Sequence, residues 1–163
     1  MKCSLTALVL GVSLLFASGG FVFAQDFLKG VEAWEKGDFA TALREWSALA
    51  EQGNTLAQFS LGWLYEDGRG VTQDHKEAVK WYRKAAEQGF EDAQFNLGVM
   101  YMNGQGVLQN NIYAYIWVNI AASSGNAGRV KIRDIIAKKM KSADIIKAQK
   151  LARECVKKNH KGC

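Results

Sequence analysis

From residue 54 to residue 125 the apolar positions of the chain fall at helical spacing. Ala57, Leu61, Gly62 and Tyr65 are separated by four, one and three residues, which sets them along one face of a 3.6-residue helix. The run Asp67-Gly68-Arg69-Gly70-Val71 interrupts that pattern with two residues that take positive φ at little cost, and Asp74 is placed to cap a second helix. The pattern of that helix, Ala78, Trp81, Tyr82, Ala85 and Ala86, stops at Gly89. Small alanines opposite large aromatics predict closely spaced, interdigitating helices.

The same pattern then occurs again. At an offset of 36 residues Ala57 meets Ala93, Gln58 meets Gln94, Phe59 meets Phe95, Leu61-Gly62 meets Leu97-Gly98 and Tyr65 meets Tyr101. Gly68, Gly70 and Val71 meet Gly104, Gly106 and Val107; Ala78, Trp81, Ala85-Ala86 and Gly89 meet Ala114, Trp117, Ala121-Ala122 and Gly125. The chain therefore holds two full repeats, 54–89 and 90–125, each a pair of helices joined by a glycine loop. Gly62 and Gly98 sit inside helices, where glycine costs about 1 kcal/mol relative to alanine, so a neighbouring helix is expected close against them.

A shorter unit, 25–53, precedes these. Ala50-Glu51-Gln52-Gly53, Ala42 and Asp38 match the second half of the next repeat at offset 36, whereas Trp34 and Gly37 match Tyr65 and Gly68 only at offset 31, which predicts a first loop five residues shorter. After Gly125 the period stops. Ala127, Val130, Ile135, Ile136 and Met140 suggest one helix, and Ser142 is placed to cap another running to about Lys158. That last helix sets Ile145, Ala148, Ala152 and Cys155 on one side and Lys147, Lys150, Glu154, Lys157 and Lys158 on the other. Such a helix seals the open end of a solenoid. Its basic face has a second reading, as an electrostatic site for anionic lipid, nucleic acid or an acidic partner.

The string Ala57, Leu61-Gly62, Tyr65, Gly68, Gly70-Val71, Asp74, Ala78, Trp81-Tyr82, Lys84-Ala85-Ala86, Gly89 resembles the Sel-one-like repeat, a relative of the tetratricopeptide repeat. The resemblance covers 54–125 and is weaker over 26–53, with Asn110, Ile112 and Val118 standing where the family favours Asp, Lys and Tyr. It implies an all-α fold, a right-handed α/α solenoid of helix-turn-helix repeats with a C-terminal capping helix pair over 126–163. It also implies an adaptor or scaffold role, with a protein or peptide as partner and no general catalytic residue.

Charge divides the chain in two. Residues 25–125 carry 8 Lys+Arg against 13 Asp+Glu, net −5, while residues 126–163 carry 12 against 3, net +9. Export argues against nucleic acid as the partner of the basic part, as does the lack of interleaved aromatics to stack bases. The expectation of export rests on the N-terminus: Met1-Lys2, the apolar run Leu5 to Phe16, and Val22-Phe23-Ala24 read as a signal peptide over 1–24, cleaved between Ala24 and Gln25. The run is short for a ~20-residue membrane span, so stable insertion is not expected, and Cys3 would leave with the peptide. A periplasmic or secreted location follows. There an oxidising medium allows Cys155 and Cys163 to pair; the alternative is one buried and one terminal free thiol.

Chemistry beyond binding finds little support. His75, placed in the loop before a helix, and His160 have no motif partner, no CxxC is present, and no hydrolase or phosphate-loop motif appears. No catalytic residue, metal ligand or cofactor is therefore assigned. By analogy with tetratricopeptide arrays, the first helix of each unit lines a concave groove. Its candidates are Glu32 and Glu35, then Gln58, Trp63 and Glu66, then Gln94, Val99 and Met102. Trp63 and Met102 would anchor an apolar side chain and the glutamates a basic one. The functional expectation is an exported adaptor or scaffold, with regulation or inhibition of a cell-wall enzyme as the alternative and a hydrolase as the third.

Overall fold

The computed structural model describes residues 26–163, and every regular element in them is helical. The expected signal peptide, its cleavage point and Cys3 lie outside the described residues. Helix α1 covers 26–35 and is followed by α2 (Phe39–Glu51), α3 (Thr55–Asp67), α4 (His75–Glu87), α5 (Glu91–Asn103), α6 (Asn111–Ala121), α7 (Ala127–Lys138) and α8 (Ser142–Lys157). Five helices begin where short polar side chains meet the free amides of a first turn, whereas α5 starts after Phe90 without a side-chain cap. Asp38 accepts from Thr41, Asn54 from Ala57, Asp74 from Lys76 and Glu77, Asn110 from Ile112 and Tyr113, and Asn126 from Arg129. Two starts differ from expectation. His75 is the first residue of α4 rather than part of the loop, and Ser142 is the first residue of α8, whose cap position is held by Lys141 without a side-chain bond.

The helices pack in sequence, α3 on α4 and α5 on α6, with α2–α3 and α4–α5 contacts joining the pairs. An all-α solenoid of helical repeats results. The internal glycines are where the two helices of a pair touch. A Cβ on Gly62 would lie 2.5 Å from the Tyr82 ring, and one on Gly98 would lie 2.6 Å from Val118 Cγ2, 3.0 Å from the Val118 amide and 3.1 Å from the Ala114 carbonyl. Gly30 makes the same contact in the first pair, with Trp46 Nε1 2.2 Å from where its Cβ would be. Trp46, Tyr82 and Val118 are spaced by 36 residues.

Because Gly30 rather than residue 31 plays the part of Gly62, α1 aligns at offset 32. The first loop covers 36–38 against 68–74 in the next unit, so it is four residues shorter and not five. The glycine loops also stack on the preceding unit. Gly70, at φ 75°, has the Phe39 carbonyl carbon 2.8 Å from the place of a Cβ, and Gly106, at φ 68°, has the His75 carbonyl oxygen at 2.2 Å. A side chain at Gly106 would meet both a strained φ and a neighbouring backbone.

Two buried clusters form the core. One joins Ala33, Ala42, Trp46, Leu49, Ala50, Ala57, Leu61 and Leu64; the other runs from Ala78 to Cys155 through Tyr82, Leu97, Met100 and Trp117. Helices α7 and α8 each pack on α6 and make few contacts with one another. Ile136 of α7 and Ala148, Ala152 and Cys155 of α8 are buried there. The Arg129 guanidinium ties α7 back to α5, donating to Glu91, Asp92 and the Ala121 carbonyl. Hydrogen bonds from Ser124 and Arg129 hold the Glu91 carboxyl below its ordinary pKa. Cys155 and Cys163 are bonded, with Cα atoms 5.5 Å apart, and tie the chain end to α8.

The α5–α6 contact makes a direct prediction. Gly98→Leu should overpack it by about 1–3 kcal/mol and lower the melting temperature by several degrees. Thermal unfolding followed by circular dichroism reads this, and a variant that melts with the parent would place Gly98 away from a tight contact.

Candidate interaction site

An apolar depression on the repeat body lies where α1, α2 and α3 meet. Trp34, Trp46, Phe59, Ser60 and Trp63 line a cavity of about 390 Å³. Phe59 and Trp63 share a face because they are four residues apart on α3. The short first loop brings Trp34 against Trp63, edge to face, at 5.8 Å between ring centroids and 73° between planes. Trp46 is fixed by stacking on Phe27 and by donating from Nε1 to the Phe27 carbonyl at 3.3 Å. Phe59 continues the aromatic packing towards the next unit, 5.6 Å from Tyr82 and 5.0 Å from Phe90. Arg69, in the glycine loop, places its guanidinium 5.1 Å from the Trp63 ring centroid and 5.7 Å from that of Phe39, and pairs with Asp67.

Of the residues expected in the groove, Trp63 lies in this cavity, half-buried. Glu32 and Glu35 are exposed on α1, on either side of Trp34 in sequence. Glu32 pairs with Lys36 at 2.7 Å, and this bond holds its carboxyl below the usual range. Glu35 makes no ion pair among the described residues. Glu66 is half-buried and accepts the Tyr82 hydroxyl at 2.6 Å, so one of its oxygens is committed to the α3–α4 pair. Burial, and then that bond, push the Tyr82 phenol pKa well above its ordinary value. The phenol stays protonated and keeps donating.

Gln58 and Gln94 do not belong to the groove. They are 4% and 1% exposed, out of reach of a ligand. Each side-chain amide instead turns back to the helix before it: Gln58 donates to the Ala50 carbonyl at 3.0 Å and Gln94 to the Ala86 carbonyl at 3.1 Å. Those carbonyls lie in the last turns of α2 and α4 and also accept from the Gly53 and Gly89 amides, so each glutamine fills a second acceptor position there. Gln88 completes the arrangement by donating to Gln58 at 2.7 Å. Val99 and Met102 occupy the positions of Trp63 and Glu66 one repeat later; both are half-buried, Met102 against the core, and neither lines the cavity. Sequence reasoning missed Trp34, Trp46, Phe59 and Ser60. The aromatic pair at Phe59 and Trp63 was the available signal, but the part played by α2 depends on the length of the first loop.

Among the described residues no group of three or more His, Cys, Asp or Glu side chains is arranged to hold a metal ion. An apolar, aromatic-walled depression is equipped to hold an apolar side chain.

The paired helices, 36-residue period and glycine contacts define an α-helical repeat protein. The Sel1 repeat family matches residues 55–90 and 91–126. The chain is similar to a solved protective antigen present in uropathogenic Escherichia coli strains that displays an SLR fold, with TM-score 0.79 and 29% identity over 85% of this chain and 30% of that one. It is also similar to a solved Sel1 repeat protein from Oxalobacter formigenes, with TM-score 0.62 and 36% identity over 66% of this chain and 44% of the other. An exopolysaccharide production negative regulator from Rhizobium leguminosarum bv. viciae is 39% identical over 56 residues, 34% of this chain and 21% of that protein. The chain thus spans less than half the length of each of these relatives. It is a Sel1-like repeat helical protein, and Sel1 repeat proteins mediate protein–protein interaction.

The buried glutamines yield a prediction that separates packing from binding. Gln58→Leu removes two hydrogen bonds at a helix end and should cost about 1–2 kcal/mol. The melting temperature should fall by a few degrees, with capture of a partner unchanged below the transition. Loss of capture in a folded variant would return Gln58 to the binding surface.

Proposed function

We propose that the chain is an exported adaptor, working in the bacterial envelope or outside the cell, that holds a protein segment in the cavity walled by Trp34, Trp46, Phe59 and Trp63. The cavity carries this reading. Its rings present a large apolar surface, and Glu35, free of an ion pair among the described residues, stands next to Trp34 in sequence. A segment with an apolar side chain and a neighbouring lysine or arginine matches both features. Export is supported by the apolar run Leu5 to Phe16 followed by Val22-Phe23-Ala24. The Cys155–Cys163 bond supports it too, since such bonds persist in oxidising compartments.

A second reading makes the bound partner an envelope enzyme that the adaptor restrains. The 56-residue likeness to a negative regulator of exopolysaccharide production favours it. Crosslinked capture from an envelope extract distinguishes the two by the identity of what is held. With a partner in hand, Trp63→Ala should speed dissociation by about 30-fold, as expected for an interface anchor worth roughly 2 kcal/mol. Glu35→Lys should mainly slow association, and the slowing should shrink at high salt. Unchanged kinetics in a folded Trp63→Ala protein would remove the cavity from the reading.

A further inference from the structure

We infer that the outer face of α8 is a docking site for an anionic lipid surface. Ile146, Lys150, Arg153 and Lys157 are spaced by four, three and four residues, so they form one stripe along the helix, and all four are exposed. Ile146 is 66% exposed and Val156, beside the stripe, 48%. The three cations of the stripe have no carboxylate partner among the described residues.

The opposite face of α8 cannot release this stripe inward. Ala148, Ala152 and Cys155 are buried against α6, and the bond to Cys163 holds the end of the helix. Sealing the end of the solenoid requires that buried face alone. It does not require large apolar side chains among the cations outside.

Beside the stripe an apolar groove of about 320 Å³ runs between α6 and α8, with Ile120, Ala152 and the half-exposed Val156 and the cations Arg153 and Lys157 in its lining. Apolar and cationic lining together suit an amphiphile with an anionic head. The stripe extends over about 16 Å of helix at 1.5 Å per residue, as a surface of many head groups requires, rather than converging on one acidic residue. Residues 126–163 add to the attraction with 12 Lys+Arg against 3 Asp+Glu. No helix among the described residues is long and apolar enough to cross a membrane, so the contact is peripheral, with Ile146 and Val156 entering the interface. The inference does not depend on the partner held at the tryptophan cavity.

Co-sedimentation of the folded, disulfide-bonded protein with vesicles tests it. Binding is expected to vesicles of equimolar phosphatidylcholine and phosphatidylglycerol, not to phosphatidylcholine alone, and should weaken steeply towards about 0.5 M salt. Lys150→Glu with Lys157→Glu should reduce the partition coefficient by at least about 10-fold, at roughly one kcal/mol per charge near the surface. Ile146→Asp should weaken it further. Lys29→Glu with Lys36→Glu, an equal charge change at the other end of the solenoid, should have far less effect, and circular dichroism confirms that each variant is folded. No binding to the phosphatidylglycerol vesicles, equal binding to both vesicle types, or equal loss in both double variants would overturn the inference. So would sedimentation showing that the α8 face is covered by a second copy of the chain.

Discussion

The contact on which this molecule depends is a glycine pressed against a side chain of the paired helix, made once in each helix pair. Gly30 faces Trp46, Gly62 faces Tyr82 and Gly98 faces Val118, each at a separation where a Cβ would overlap its partner. The contact sets how near the first helix of a pair comes to the second. That distance then dictates the rest of the repeat. With the Tyr82 ring trapped beneath Gly62, its hydroxyl arrives at Glu66. With the pairs so close, the glutamine of each following helix reaches the last turn of the helix before it, and the loop glycines meet the backbone of the unit behind. An alanine at Gly62 or Gly98 would gain about 1 kcal/mol of helix propensity, less than the cost of forcing a packed interface apart.

The cavity arises where this scheme is shortened. In the two full repeats a loop over 68–74 or 104–110 separates the paired helices, whereas in the first unit the chain turns over 36–38. The shorter turn leaves Trp34 near the end of α1 free to meet Trp63 of α3 edge-on. Position 63 is tryptophan and position 99, its repeat equivalent, is valine; position 66 is glutamate and position 102 methionine. The fold therefore repeats while the binding chemistry does not. A site made this way belongs to one junction of the array, and duplicating a repeat would not duplicate it.

Most of the fold was legible in the sequence because it is carried by periodic residues: Gly62 and Gly98, the caps Asp38, Asp74 and Asn110, the core alanines and the loop glycines of the two full repeats stand 36 residues apart. The errors in the first loop and at the start of α8 fall where periodicity is absent or ambiguous. Trp34 and Gly37 suggested a five-residue difference in the first loop, but a loop glycine can shift by one position at little cost, whereas Gly30 beneath Trp46 cannot. Ser142 suited a cap by composition, yet the chain enters α8 one residue earlier. Gln58 and Gln94 were placed on the ligand surface by analogy with tetratricopeptide arrays, in which the first helix of each unit lines the groove. Their recurrence at offset 36 was the better guide, since a polar residue repeated with the core tends to serve the core. The cavity was legible only through Trp63; Trp46 comes from a helix that the groove analogy leaves aside.

The division of charge acquires meaning once the two ends of the array are fixed. A flexible basic tail could fold back on the acidic body and cancel its field, since the two parts carry +9 and −5. The structure prevents this by holding the cap at two places. Arg129 bonds to Glu91, Asp92 and the Ala121 carbonyl, while the Cys155–Cys163 bond and the burial of Ala148 and Ala152 fix α8 on α6. Among the described residues Arg129 is the one cation of the cap that pairs with the acidic body, and its side chain is only 14% exposed. Arg133 pairs with Asp134 within the cap, and the cations of the outer α8 face, Lys150, Arg153 and Lys157, are exposed and without a carboxylate partner among the described residues. A short solenoid so constrained presents an acidic, aromatic surface near its first unit and a basic, apolar one at its last. Because the elements between them are packed in register, whatever engages one surface is held at a set position relative to the other.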